Sequence, residues 1–142
     1  MSVRFCPPDG PDALRAAGLR VTAPRLAVLK AVATDPHADV DTIAAAARLS
    51  LGSLSKQAVY DILRAFVGAG LVRQIQPAGG PARYEARVSD NHHHLVCRGC
   101  AAIADVDCAI GTAPCLKPSD TADYRIDEAE VTHWGLCPTC QD

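Results

Sequence analysis

The chain has 142 residues, of which 49% are hydrophobic and 4% aromatic, with a formal net charge of −2 at pH 7. This length allows one domain or two small ones, with a core built mainly from Ala, Val, Leu and Ile. No run of about 18 apolar residues occurs, and no basic segment leads into an apolar one near Met1. We therefore expect no membrane-spanning helix, no secretory signal and a cytoplasmic protein.

The two halves of the chain differ in charge. Residues 1–87 hold 11 Lys/Arg and 7 Asp/Glu, whereas residues 88–142 hold 3 and 9. A mildly basic front half suits contact with nucleic-acid phosphates, and an acidic back half does not.

The front half begins with a loose arm at residues 1–10 and a short helix from about Pro11. Thr22, with Pro24 in the first turn, starts a second helix. A third helix is expected to begin at Asp39 or Asp41.

The fourth helix, over residues 56–68, has the clearest pattern, and Ser53 or Ser55 can cap it. Apolar residues recur along the helices at three- and four-residue spacing, which gives each an inward face. The predicted inward positions of the second, third and fourth helices are Leu26, Leu29, Val32, Ala33, Ile43, Ala46, Ala47, Leu49, Val59, Ile62, Leu63, Phe66 and Val67.

Two short strands are predicted at residues 71–76 and 83–88, on either side of a Pro- and Gly-rich turn. Helices followed by a small hairpin are typical of a winged helix-turn-helix. Residues 1–88 are therefore interpreted as a winged-helix DNA-binding domain.

The back half, residues 89–142, is interpreted as a small α/β domain. Strands are expected at His92–Cys97, Ala102–Asp107 and about Glu128–Trp134, with a short or broken helix between Cys108 and Arg125. The fold class of the whole chain is therefore α+β.

Two C-x-x-C pairs, Cys97/Cys100 and Cys137/Cys140, are separated by 36 residues. Four thiolates with no open position are typical of structural zinc, which would replace core that a domain of about 50 residues cannot bury. Two disulfides or a redox dithiol are the alternatives, and a reducing cytoplasm favours zinc.

Three further cysteines remain. Cys108 and Cys115 form a possible redox pair, either a disulfide or an auxiliary metal site, with two unremarkable small residues as the alternative. Cys6, in the predicted arm, is interpreted as incidental.

Three histidines directly precede the first cysteine pair. On a strand, residues two apart share a face, so His92 and His94 point one way and His93 the other. Asp105 and Asp107 likewise share a face of the next predicted strand. Two imidazoles with one or two carboxylates suit iron, manganese or zinc, and a surface histidine run beside a zinc site is the alternative.

Taken together, these motifs resemble the ferric uptake regulator (Fur) family of metal-dependent repressors, from about Ala13 to Cys140. The runs 90–94 and 104–108 are most similar to the branch that controls catalase-peroxidase genes. The segments that carry the resemblance are Gly18-Leu19-Arg20-Val21-Thr22-x-x-Arg25, Ala58-Val59-Tyr60-Asp61-x-Leu63, Ala69-Gly70-Leu71-Val72, Arg83-Tyr84-Glu85, His92-x-His94-Leu95-Val96-Cys97-x-x-Cys100 and Cys137-x-x-Cys140.

The resemblance implies a homodimer joined through residues 89–142, which binds a palindromic double-stranded DNA operator and no membrane. It assigns structural Zn²⁺ to the four paired cysteines. Taken alone, His37 is interpreted as an exposed loop residue and Glu85 as a solvent-facing strand carboxylate. The resemblance implies instead that both are metal ligands. The regulatory Fe²⁺ or Mn²⁺ ligands that it implies are His37, Glu85, His92, His94 and Asp105.

The family's peroxide sensors are similar to this chain in having Asp at position 105, although they often have Asp rather than Glu at position 85. We expect a peroxide-responsive repressor of oxidative-stress (catalase-peroxidase) genes that works through bound iron(II). Sensing of iron or zinc supply, or of thiol oxidation, by the same fold is the alternative. Two His and a carboxylate also form the facial triad of non-haem iron oxygenases, but the helix-turn-helix half argues against an enzyme.

The polar face of the fourth predicted helix carries side chains that reach phosphates or base edges, namely Lys56, Gln57, Tyr60 and Arg64. Arg20 resembles the family's basic residue that enters an A·T-rich minor groove. A solvated helix surface is the alternative for each of these residues.

Overall fold

The computed structural model describes residues 10–77, 79–86, 92–107, 118–126 and 129–141. The chain forms two compact units, Met1–Val88 and Ser89–Asp142, each with a three-stranded sheet. No helix in the described ranges has the length and apolar character that a bilayer crossing requires. Residues 1–9 of the predicted arm, which include Cys6, lie outside the described residues, as do Cys108 and Cys115. The predicted arm is wrong at Gly10, which is the first residue of a helix.

Capping side chains set where the helices of the first unit begin. The helices are α1 (Gly10–Ala16), α2 (Ala23–Thr34), α3 (Val40–Leu51) and α4 (Lys56–Gly68). The side chains of Thr22, Asp39 and Ser55 accept hydrogen bonds from the first-turn N–H groups of α2, α3 and α4. Each bond satisfies a donor that has no partner within its helix, which is why these residue types mark helix starts.

The helices enclose a core whose most deeply buried side chains are those of Leu14, Val28, Val32, Ile43, Val59, Leu63 and Phe66. The predicted inward faces are wrong at Ala33, Ala46, Leu49 and Val67, which are exposed. In α3 the run of four alanines at 44–47 has no polar position that would identify its face. The helix buries Ala44 and Ala47, which leaves Leu49 90% exposed.

The sheet of the first unit has the order β1-β3-β2, with β1 at Ala38–Asp39, β2 at Arg73–Ile75 and β3 at Arg83–Glu85. Strands β2 and β3 form the predicted hairpin, although both strands are shorter than predicted. Strand β1 is not in the prediction, because two residues carry no periodicity. Its antiparallel pairing with β3 places His37, the residue before β1, close to the end of β3.

The sheet of the second unit has β4 (His92–Cys97) at its centre, antiparallel to β5 (Ile103–Asp107) and parallel to β6 (Thr132–Gly135). The predicted bounds of β4 are confirmed, and β6 is shorter than predicted. A short 3₁₀ helix, Pro138–Cys140, follows β6. Of the region predicted as a broken helix, residues 118–126 are described and contain no helix, and residues 108–117 lie outside the described part.

Candidate metal centres and DNA-facing helix

Four cysteine side chains meet at one end of the second sheet. Cys97 ends β4 and Cys100 closes the following turn, whereas Cys137 immediately precedes the 3₁₀ helix and Cys140 is its last residue. Their sulfur atoms all lie within 4.8 Å of one another, and the sulfurs of Cys100 and Cys137 are 3.7 Å apart. Sulfurs held tetrahedrally at about 2.3 Å from one zinc ion stand about 3.8 Å from each other. All four are free thiols, so the arrangement fits zinc and not the disulfide alternative.

Backbone groups favour the thiolate form of Cys97. The N–H groups of Gly99 and Cys137 both donate to Cys97 Sγ at 3.3 Å. Hydrogen bonds from the N–H groups of Cys137 and Cys100, in that order, lower the pKa of Cys97 to about 6. Shared hydrogen bonds with the neighbouring thiols, Cys137 first, raise the pKa of Cys140 to about 12. A divalent ion bound by the four cysteines would oppose the raised pKa of Cys140, because metal binding lets all four sulfurs ionise.

Gly99 is a functional position that the sequence reasoning missed. A Cβ atom at this residue would lie 3.1 Å from Cys140 Sγ and 3.2 Å from Cys140 Cβ. The turn between the first two sulfurs therefore packs closely against Cys140, and a side chain at Gly99 would require Cys140 to shift. The signal in the sequence is the glycine inside Cys97-Arg98-Gly99-Cys100.

The first unit contains a buried pair of proposed ligands, His37 and Glu85. The exposed fractions are 8% for His37 and 1% for Glu85, so the separate expectations of an exposed loop residue and a solvent-facing carboxylate are wrong. His37 Nε2 lies 3.1 Å from Glu85 Oε2, although the two residues are 48 positions apart in sequence. Pairing of β1 with β3 brings them together.

The backbone of His37 is unusual, with φ at +68°, a left-handed conformation that few non-glycine residues adopt. Its N–H donates to the carbonyl of Tyr84 at 3.0 Å, and its own carbonyl accepts from Arg83 Nη1 at 3.2 Å. Both partners belong to β3, the strand that ends at Glu85.

In the second unit, two imidazoles and a carboxylate converge across β4 and β5. The strand register places His94 opposite Asp105 and His92 opposite Asp107. His94 Nε2 lies 3.4 Å from Asp105 Oδ1, and His92 Nε2 lies 3.8 Å from the same oxygen. The predicted alternation is therefore present within this sheet, and the grouped nitrogen and oxygen donors suit a divalent transition ion.

Helix α4 presents the predicted DNA-contacting side chains on an exposed face, but aspartates engage several of them. Lys56 Nζ lies 2.8 Å from Asp41 Oδ1, and Asp61 accepts from Gln57 Nε2 at 3.0 Å. Arg64 Nη1 lies 3.9 Å from the same Asp61 carboxylate. The hydrogen bond that Lys56 donates to Asp41, followed by the negative charge of Asp41, raises the pKa of Lys56.

Tyr60 and Arg20, the other predicted DNA-contacting residues, are also exposed. Tyr60 lies one turn beyond Lys56, whose ammonium is 6.0 Å from the centre of the Tyr60 ring. Arg20 precedes α2, and its side chain is exposed. Its carbonyl accepts a hydrogen bond from Arg25 Nη1 at 2.9 Å.

The sequence profile of the Ferric uptake regulator family matches residues 16–132 of this chain. The transcriptional regulator FurA of Mycobacterium tuberculosis (strain ATCC 25618 / H37Rv) is 62% identical over 133 residues, covering 94% of this chain and 90% of that protein. Ferric uptake regulation protein 1 of Mycolicibacterium fortuitum is 59% identical, covering 91% of this chain and 80% of the relative.

A peroxide-responsive repressor, PerR of Staphylococcus saprophyticus, is less similar, with 29% identity over 94% of this chain and 90% of its own length. Among solved structures, the Vibrio cholerae ferric uptake regulator superposes with a TM-score of 0.66 at 25% identity, covering 91% of this chain and all of that one. The resemblance and the α+β fold class are thereby confirmed. The chain belongs to the ferric uptake regulator family of metal-dependent, DNA-binding transcriptional regulators.

Proposed function

We propose that this chain is a metal-dependent repressor that acts in the cytoplasm as a homodimer on a palindromic double-stranded DNA operator. Residues 1–88 are the winged-helix DNA-binding domain, and residues 89–142 are the dimerisation domain. One observation carries the proposal: each unit holds a group of buried metal-binding side chains. The pair His37/Glu85 lies in the first unit, and His92 and His94 lie beside Asp105 in the second.

The proposed regulatory ion, Fe²⁺ or Mn²⁺, takes its ligands from both groups, namely His37, Glu85, His92, His94 and Asp105. The two carboxylates neutralise the charge of a divalent cation. Together with the three imidazoles they provide the oxygen and nitrogen donors that these ions accept. The four-cysteine cluster provides sulfur only, which suits Zn²⁺ in a permanent structural role. Two donor sets with different metal preferences allow one ion to stay bound while the other exchanges.

The second unit supports the assigned roles of zinc and of dimerisation. Among its described residues only His92, His93, His94, Val96 and Cys97 are buried, which is a small core for an independent fold. Zinc binding free energy then contributes directly to folding. Exposed Leu95, Trp134 and Leu136 line a groove of about 300 Å³, an apolar surface that a second copy of the chain covers in the proposed dimer.

A metal held by ligands from both domains couples metal binding to DNA binding. In the dimer it fixes the separation of the two recognition helices, which must match half-sites about 34 Å apart along the major groove. By linkage, operator DNA tightens metal binding by the same factor as metal tightens operator binding.

The test uses zinc-loaded protein and an operator selected from random-sequence DNA. Fluorescence anisotropy at fixed salt measures operator affinity with and without Mn²⁺, for the wild type and for His37→Ala and Asp105→Ala. We expect Mn²⁺ to tighten binding of the wild type by tenfold or more, a coupling of about 1.4 kcal/mol, and to have little effect on either variant. Equal wild-type affinity with and without metal would refute the mechanism.

We further propose that the signal is peroxide, with iron(II) as the resident ion. Iron(II) held by these ligands would supply the redox chemistry for peroxide cleavage. In the net reaction one peroxide oxygen would enter a ligand imidazole, the other would leave as water, and peroxide would be the two-electron oxidant. His92 and His94, both near the Asp105 carboxylate, and His37 are the candidate targets. The higher identity to FurA than to PerR keeps iron- or zinc-supply sensing as the competing proposal.

Mass spectrometry separates these proposals. After peroxide treatment of the iron-loaded protein, the peptides with His37 or His92–His94 should gain 16 Da, and the manganese-loaded control should not. Loss of DNA binding with unmodified histidines would favour thiol oxidation as the signal. Steady turnover of an organic substrate with oxygen would favour the remote alternative, a non-haem iron enzyme.

A further inference from the structure

A proposed metal ligand, His37, is held in a disfavoured backbone conformation by a side chain that carries no ligand atom. With φ at +68°, His37 adopts a conformation that an isolated L-residue leaves readily. Such a residue persists only where its surroundings fix it. The direction of the imidazole towards Glu85 depends on this conformation.

Arg83 and Tyr84, both in β3, contact the His37 backbone. Arg83 Nη1 donates to the His37 carbonyl at 3.2 Å in a partly buried bond, while the Tyr84 carbonyl accepts from the His37 N–H. The strand register places Arg83 directly opposite Asp39, the residue that caps α3. The guanidinium therefore lies on the short segment 37–39, between the proposed ligand and the first turn of that helix.

We propose that Arg83 is a positioning residue for the regulatory metal: it fixes the left-handed backbone of His37 and so directs the imidazole at Glu85. This inference rests on the proposed function, because it assigns Arg83 a role in the ligand set named there. The inference predicts that removing the Arg83 side chain weakens metal binding, which is the opposite of what charge repulsion alone predicts. A cationic side chain near a cation site weakens metal binding by repulsion, so its removal through charge alone would strengthen binding.

The test measures Mn²⁺ affinity of the zinc-loaded, full-length protein by competition with a fluorescent chelator. Arg83→Gln removes the charge and shortens the side chain, so that its amide does not extend as far as Nη1 does, and we expect it to weaken Mn²⁺ binding about 10-fold or more, as loss of a ligand-orienting partner does. Arg83→Lys, which keeps the charge and a donor, should give an intermediate affinity. Arg48→Gln is the matched control, since Arg48 Nε also donates to a backbone carbonyl, that of Leu54 at 2.8 Å.

A double-mutant cycle with His37→Ala separates positioning from general damage to the fold. If Arg83 acts through the His37 imidazole, Arg83→Gln should weaken Mn²⁺ binding no further in the His37→Ala background. Unchanged or tighter binding by Arg83→Gln, or an equal loss in both backgrounds, would overturn the inference. If Arg83→Gln does not fold, Arg83→Met, which keeps the apolar stem, takes its place in the cycle.

The outcomes also distinguish this inference from the proposed function. Weaker Mn²⁺ binding by His37→Ala with normal binding by Arg83→Gln would refute the role of Arg83 and leave the proposed site standing. Normal binding by His37→Ala would refute the proposed site, and the role of Arg83 with it.

Discussion

Replacing Gly99 by alanine tests the four-cysteine site without removing a ligand. The added Cβ would lie 3.1 Å from Cys140 Sγ and 3.7 Å from Cys97 Sγ. The separation from Cys140 is tighter than most Cβ contacts in proteins, so Cys140 must shift by a few tenths of an ångström. Sulfur–zinc distances in such sites normally lie within about 0.2 Å of about 2.3 Å, so a shift of Cys140 strains the site.

We expect Gly99→Ala to weaken zinc binding about 10- to 100-fold, which corresponds to about 1.4–2.7 kcal/mol. Zinc transfer to a colorimetric chelator measures the affinity, and thermal unfolding of the zinc-loaded protein should show a lower midpoint. Gly135→Ala is the matched control, because its added Cβ has nothing within 4 Å although Gly135 lies in the same unit. Equal zinc affinity of the wild type and Gly99→Ala would refute the assigned packing of the site.

Three other predictions concern DNA binding and pH. Arg20→Ala should weaken operator binding and lower the slope of log affinity against log salt by about one, because one phosphate-neutralising charge is lost. Asp41→Asn should raise affinity for random-sequence DNA, since it frees Lys56 from a 2.8 Å ion pair and removes a charge that repels phosphate; an unchanged affinity in anisotropy titrations would contradict this. In zinc-free protein, the pKa of Cys97 is lowered from 9.0 to about 6, so its contribution to stability is present above pH 9 and lost as pH falls towards 6. Unfolding midpoints between pH 6 and 9 should show this dependence, and Cys97→Ser should reduce it.

The sequence predicted the features that have short-range causes. The cap Thr22, and Ser55 as one of two candidates, were predicted because a side chain that accepts from its own first turn leaves a local signature. The bounds of β4 followed from a dense apolar and histidine run, and the alternation of His92 and His94 followed from the two-residue period of a strand. In each case the physical interaction spans only a few residues.

The features that the sequence did not predict depend either on pairing between distant residues or on runs of identical side chains. The inward face of α3 depends on which alanines of residues 44–47 meet the rest of the core, and identical side chains cannot indicate this. Strand β1 exists because of its pairing with β3, and nothing within two residues signals that pairing. The proximity of His37 and Glu85 follows from the same pairing, so it was not visible from either local sequence.

The same distinction separates the two proposed metal sites and bears on their roles. The zinc ligands form two short knuckles within one unit, a pattern that spacing alone identifies and that can only stabilise that unit. The proposed regulatory ligands are dispersed over β1, β3, β4, β5 and their flanks, so no spacing rule finds them together. A metal reports on the arrangement of two domains only if its ligands come from both, because an ion bound within one domain has equal affinity for every arrangement. Ligand dispersal is therefore what the proposed sensing mechanism requires, and selective loss of DNA response on removing His37 alone would be its direct consequence.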